Sequence, residues 1–219
     1  MNTIRTLFFA GAFFVSLVAN SQNILDFYLI LPDSVMGLSQ KERNKIVEVS
    51  KDNKSSSDAS EDIDRYHLLY SFDLVDVKNG FLHIIGAMEG HIEMCYWNLQ
   101  NGRKLVAIYQ EGCGPECYVE RFDFYEYDGR EFKTLFAESI IPDIYDDFFS
   151  YDKTMAQADM EAMEISANLL FALPRKGKNI LAKWGNTESA TAYEKFARGN
   201  RMMLIWKDGI FEKSEIYWE

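Results

Sequence analysis

The chain reads as an α+β protein that is mostly β. The expected architecture is an antiparallel meander of consecutive hairpins, either an open sheet or a half-barrel, with one N-terminal helix and one or two short helices. Two observations predict this. The dipeptides Asn79-Gly80, Asn101-Gly102, Asp128-Gly129 and Asp208-Gly209 each stand between stretches rich in β-branched and aromatic residues. A two-residue type I′ turn needs positive φ at both central positions, which Asn-Gly and Asp-Gly supply at low steric cost. Aromatic side chains also make up 15% of the chain, which suits a sheet-rich core.

The N-terminus carries an export signature. Arg5 precedes the apolar run Leu7 to Val18, interrupted only by Ser16, and Ala19 and Ser21 give the small-x-small pattern of a cleavage site before Gln22. A cleavable signal peptide is therefore expected over 1–21. It leaves a β-rich domain over 22–219, single or divided into two lobes at about 22–137 and 138–219. The apolar run is shorter than the roughly 20 residues that cross a bilayer, so no transmembrane segment is expected after cleavage. The expected location is periplasmic or extracellular.

Asn23 to Leu31 is short and strongly apolar. Ser39 with Glu42 three residues on forms a capping box, and Ile46, Val47 and Val49 give an apolar face, so a helix is expected over 39–50. Lys51 to Asp62 is polar and Ser-rich and reads as a loop. Strands are expected near 66–77, 81–86, 91–99, 104–112, 117–127 and 131–137, then near 164–173, 178–184, 201–207 and 210–217. Residues 139–151 read as an irregular or short helical connection, and 186–199 as a short helix.

Turn positions imply registers. With Asn101-Gly102 as a two-residue loop, Trp97 faces Val106 and Cys95 faces Ile108. With a three-residue loop between Cys113 and Cys117, Ile108 faces Phe122. With a turn at Asp128-Gly129, Phe122 faces Leu135. One apolar row then runs Cys95–Ile108–Phe122–Leu135, beside Trp97–Val106–Phe124. The opposite face carries Met94, Tyr96, Tyr109, Arg121, Asp123 and Tyr125. Tyr and Arg are enriched at binding hot spots, so Tyr96, Tyr109, Arg121 and Tyr125 are the candidate binding residues. The competing use of that face is as a seat for the 39–50 helix or the C-terminal hairpins.

Chemical motifs are sparse. There are three cysteines and three histidines. Cys113 and Cys117 flank a tight loop and are expected to form a disulfide, as suits an oxidising compartment. A redox pair or a zinc site sharing His91 are the alternatives, the latter with only three ligands. Cys95, in an apolar row, reads as a buried thiol. With Asn79-Gly80 as the turn, Asp76 faces His83, which is two-thirds of a hydrolase triad without a nucleophile beside it. A cross-strand charge pair is the commoner reason for such an arrangement. Asp143, Asp146, Asp147 and Asp152 lack the alternation and glycine of a calcium loop. Arg175, Lys176, Lys178 and Lys183 cluster at a hairpin tip, where lysines usually solubilise or guard an edge. No metal or cofactor is expected.

The run GHIEMCYWNLQNGRKL, then EGCGPECYVERFDFYEYDG, with the later LPRKGKNI and IWKDGIF, resembles a group of uncharacterised exported proteins of gram-negative bacteria. The resemblance implies an exported β-rich protein and carries no functional residue with it.

The net charge of −11 repels nucleic acid, so none is expected as a partner. The function expected is a non-enzymatic exported binding protein that engages a protein, peptide or envelope ligand through the Tyr/Arg face. The alternatives are a carrier holding an apolar ligand inside a half-barrel, or a hydrolase using Asp76 and His83.

Overall fold

The structure, a computed structural model, describes residues 22–52, 70–86, 90–114, 116–163, 168–184 and 194–219. The expected signal peptide, most of the Ser-rich loop, the outer ends of the 66–77 and 164–173 strands and the first part of the 186–199 helix lie outside the described residues. Three helices open the described chain, α1 (Ile24–Ile30), α2 (Asp33–Met36) and α3 (Gln40–Asp52). Six strands follow: β1 (Tyr70–Asp76), β2 (Phe81–Gly86), β3 (His91–Asn98), β4 (Lys104–Cys113), β5 (Cys117–Tyr127) and β6 (Phe132–Leu135). They pair in sequence order as one open antiparallel sheet. After 3₁₀ turns at Ala137–Ser139 and Asp146–Phe148 comes helix α4 (Lys153–Ala162). A second sheet, of order β10-β9-β8-β7, contains β7 (Leu169–Ala172), β8 (Ile180–Trp184), β9 (Arg201–Trp206) and β10 (Phe211–Tyr217). The mostly-β meander class therefore holds, as two open antiparallel sheets.

Both faces of the first sheet are covered. Phe81, Cys95, Trp97, Leu105, Ala107, Tyr109 and Phe124 point one way and share a core with Trp184, Met202, Leu204 and Phe211 of the second sheet and with Ile140, Phe148 and Phe149 of the connection. Leu82, Ile84, Ile92, Met94, Val106, Ile108 and Tyr125 point the other way and share a core with Ile24, Phe27, Tyr28, Leu31 and Val47 of the N-terminal helices. Both faces of this open sheet are thus occupied by the protein's own side chains. A sheet buried on both sides tolerates strands that are apolar throughout.

Helix α1 starts because Asn23 accepts from the Leu25 and Asp26 amides while the Asp26 carboxylate takes the Asn23 amide, a reciprocal cap. Its end lacks a basic residue of its own. Arg43, delivered from α3, donates instead to the carbonyls of Leu29, Leu31 and Leu38 and lies 3.1 Å from the Asp33 carboxylate. The Ser39–Glu42 box at the head of α3 forms as the sequence implies, with the Glu42 carboxylate accepting from the Ser39 amide at 2.6 Å.

Three of the four turns depart from the expected type. Asp208-Gly209 is a two-residue loop with both φ positive, at 47° and 104°, closed by the Lys207 amide on the Ile210 carbonyl at 2.9 Å. At the other three sites only the glycine has positive φ: the Asn79 and Asn101 sites take longer loops, while at the third a two-residue loop at Gly129-Arg130, with the Asp128 amide on the Glu131 carbonyl at 3.4 Å, displaces the reversal by one residue. The Leu99 amide bonds the Arg103 carbonyl and the Gly102 amide bonds Leu99, so three residues make that loop. Cys95 therefore pairs with Ala107 and Trp97 with Leu105, one place from expectation. A bulge between Gln110 and Glu111 shifts the next ladder, so Phe124 faces Ala107. The real row is Cys95–Ala107–Phe124–Leu135. Trp97, Phe122 and Phe124 lie on the expected side, and Ile108 and Val106 lie on the other. Only β4 is flipped, and its sequence is apolar in both settings.

Candidate functional site

The four residues expected to form a binding face do not share one surface. Tyr109 is buried on the side that meets the second sheet. Its hydroxyl donates to Glu111 at 2.7 Å and accepts from the Phe171 amide at 3.2 Å. Burial pushes that phenol far above its ordinary range. Tyr96, Arg121 and Tyr125 lie on the helix-covered side. Tyr96 packs on Phe27 at 5.0 Å between ring centres, and its ring crowds Gly80 so closely that a Cβ there would sit 2.6 Å from it. Arg121 donates to the Val35 carbonyl of α2 and lies 3.3 Å from Asp123. Tyr125 donates to Asp123 at 3.2 Å, and burial, with Asp123 adding to it, holds its phenol up at about 12. These three side chains dock the N-terminal helices.

The hydrolase pair is separated as well. Asp76 pairs with Phe81 across a four-residue turn, and His83 stands opposite Leu74. Asp76 accepts from the Asn79 side chain at 2.9 Å and meets Arg175 at 3.0 Å. These partners, Asn79 first, hold its carboxyl down at about 2. A depressed carboxylate adds stability above its ordinary pKa near 3.8 and loses it as pH falls through about 2. Asp76→Asn is accordingly expected to flatten the acid limb of unfolding below about pH 4, read from denaturant midpoints across pH. An unchanged acid limb would contradict this. The basic hairpin tip serves docking in the same way: Arg175 reaches Asp76, and the Lys178 carbonyl accepts from the Trp97 indole at 2.8 Å.

Cys113 and Cys117 are joined by a disulfide, and Cys95 is a buried free thiol that burial pushes far up in pKa. A disulfide offers no thiolate, which removes the Cys-based zinc arrangement. The loop it closes is so short that replacing both residues by Ser is expected to cost only about 2 kcal/mol. Urea midpoints of the double variant check this, and loss of the folded transition would refute it.

The polar residues that do converge lie on the sheet face toward β7. There His83 pairs with Glu93, Glu93 with Tyr109, and His91 with Glu111 across successive strands. The rings of His83 and His91 lie 5.0 Å apart. Glu93 accepts from the Leu173 amide at 2.6 Å. With the Tyr109 hydroxyl on Phe171, this satisfies two amides of the free β7 edge. Burial pushes the Glu93 carboxyl up to about 7 and pushes His91 down, against the pull of Glu111. A cavity of about 310 Å³ opens beside them, lined by His91, Gln110, Glu111, Tyr118 and Glu120 among others. The sequence alone pairs His83 with Asp76, sets His91 with the cysteines and offers Glu93 only as a carboxylate pair with Glu89, with no substrate-binding pattern beside it. The signal available was His91-x-Glu93, which alternation places on one face. The unknown β2–β3 register hid His83 from them.

A second concavity, of about 630 Å³, runs along Ala137, Ile141, Ile144, Tyr145, Leu169 and Phe171, with Glu138 and Asp143 at it. Phe136, directly before it in the chain, is 84% exposed.

Comparison with known proteins places the chain in a family. Residues 16–195 match the family described as "Protein of unknown function (DUF3256)". The chain belongs to the DUF3256 family. Among solved structures, this DUF3256 protein is similar to a domain of an uncharacterized protein from Porphyromonas gingivalis W83, with a TM-score of 0.58 and 16% identity. The match covers 87% of this chain and 97% of that one. At that identity the likeness shows a shared fold. None of the curated proteins matches this DUF3256 chain. Among the described residues, no helix is long and apolar enough to cross a membrane.

Proposed function

We propose that this DUF3256 protein is an exported, non-enzymatic binding protein of a gram-negative bacterium, acting in the periplasm or outside the cell. Its partner is a protein or peptide segment with apolar side chains flanked by basic ones. The observation that carries the reading is the groove from Ala137 to Tyr145 and along β7. Its volume of about 630 Å³ is that of a ligand-binding cleft. Its floor is mostly apolar, Glu138 and Asp143 supply negative charge, and Phe136 stands exposed next to it. An aromatic anchor beside an apolar cleft is the arrangement that concentrates binding energy. The binding surface is therefore moved from the Tyr/Arg residues, which the N-terminal helices and the second sheet cover, to this groove.

Two measurements test this. N-terminal sequencing of the protein from a periplasmic fraction is expected to begin at Gln22, and an intact Met1 in the cytosol would overturn export. A photo-crosslinker at Phe136 is expected to capture one discrete envelope polypeptide, with capture lost in Ile141→Glu. Capture that is diffuse, or unaffected by Ile141→Glu, would overturn the groove as the site.

A further inference from the structure

The cluster on the β7-facing side of the first sheet has the composition of a metal site. The ligating atoms of His83, His91 and Glu93 all lie within 4.8 Å of one another. Four-coordinate zinc, with bonds of about 2.0–2.1 Å, sets its ligand atoms roughly 3.3 Å apart, which small side-chain rotations reach from here. Two imidazoles and a carboxylate form a common three-ligand set that leaves one position open.

A second, independent feature supports the reading. Strand β1 bulges between Phe72 and Leu74, so Asp73 is the extra residue in the ladder. Bulges re-aim side chains. Here the bulge delivers the Asp73 carboxylate to Nδ1 of His83 at 3.1 Å. With the proton on Nδ1, that bond fixes the ring and leaves Nε2 with its lone pair for a ligand, the carboxylate–histidine arrangement found behind metal-bound imidazoles. Glu93 is held in the same manner: one carboxylate oxygen takes the Leu173 amide, and the other is left over. His83 retains 22% side-chain exposure, so the cluster has a path to solvent.

We propose that His83, His91 and Glu93 bind one divalent transition-metal ion of the zinc type, with Asp73 positioning His83 and the fourth position open to water or to a partner's group. Glu111, beside His91, and Lys183 of β8 are the charged neighbours of the site. The ion would compensate the buried Glu93 carboxylate and leave one net positive charge for Glu111 and the group at the open position to meet. This proposal is independent of the groove, so either can fail alone.

The test uses the full chain, freed of metal by chelation and titrated with Co²⁺. The expected result is saturation at one ion per chain, with visible d–d bands of four- or five-coordinate Co²⁺ that Zn²⁺ abolishes. His91→Ala and Glu93→Gln are each expected to weaken binding by more than about 100-fold, and Asp73→Asn by about 10–100-fold with the bands retained. Far-UV circular dichroism checks that each variant is folded. Should His91→Ala unfold, the partly exposed His83→Gln serves in its place. Absence of saturable binding overturns the site. So does a Co²⁺ affinity unchanged in Glu93→Gln or in His83→Gln.

Discussion

Arg43→Ala is expected to destabilise the protein by about 3–5 kcal/mol. Arg43 is 1% exposed, and its guanidinium holds the carbonyls of Leu29, Leu31 and Leu38. Two of these belong to the end of α1, where a helix has no intrahelical partners for its last carbonyls. Each buried acceptor stripped of its donor costs about 1–3 kcal/mol. The Asp33 pairing adds little, because Asp33 is 61% exposed. Arg43→Lys is expected to recover only part of the loss, since an ammonium on a flexible stem cannot match a planar fork of donors. Urea unfolding measures both. In Arg43→Ala, amide exchange should quicken first in 24–52, the segment that Arg43 ties together. A loss below about 1 kcal/mol would show that water replaces the guanidinium freely.

Trp184→Ala is the second large effect, again about 3–5 kcal/mol. Trp184 is wholly buried on β8 and ringed by Tyr145 at 6.1 Å, Phe148 at 5.5 Å and Phe149 at 5.3 Å between ring centres. It joins the second sheet to the connection that carries the 3₁₀ turns. Removing so large a side chain leaves a cavity whose walls, set in strands and aromatic rings, collapse poorly. Trp184→Phe keeps much of the volume and is expected to cost less than half as much. Equal losses for the two variants would argue against the cavity explanation.

The strand positions were legible because Gly-bearing dipeptides and β-branched runs punctuate the chain locally. The strands 81–86 and 117–127 fall where the pattern puts them. Pairing was less legible, because it depends on loop length and on bulges. Leu105 to Tyr109 is apolar on both sides, so no alternation marks which of Ile108 and Tyr109 faces the second sheet. Helix α1 is hard to read in NILDFYLIL because Leu25, Leu29 and Ile30, off its buried Ile24, Phe27 and Tyr28 face, are apolar too, so no polar stripe shows. Its Asn23–Asp26 cap was the cue. Helix α4 went unread although Asp152 caps it by accepting from the amides of Thr154 and Met155. The cluster of His83, His91 and Glu93 needs β2 and β3 in correct register, which one slip suffices to hide.

Every ladder in both sheets joins neighbours in the chain, and the covers of the first sheet lie on either side of it in sequence. During synthesis the helices that shield one side emerge before the six strands, and the sheet that shields the other emerges last. A chain threaded N-terminus first across a membrane would pass through a stage in which Trp97, Leu105 and Phe124 stand uncovered while the last hairpins are still in transit. Slowing translocation after Leu135 should prolong that stage and raise the yield of aggregate.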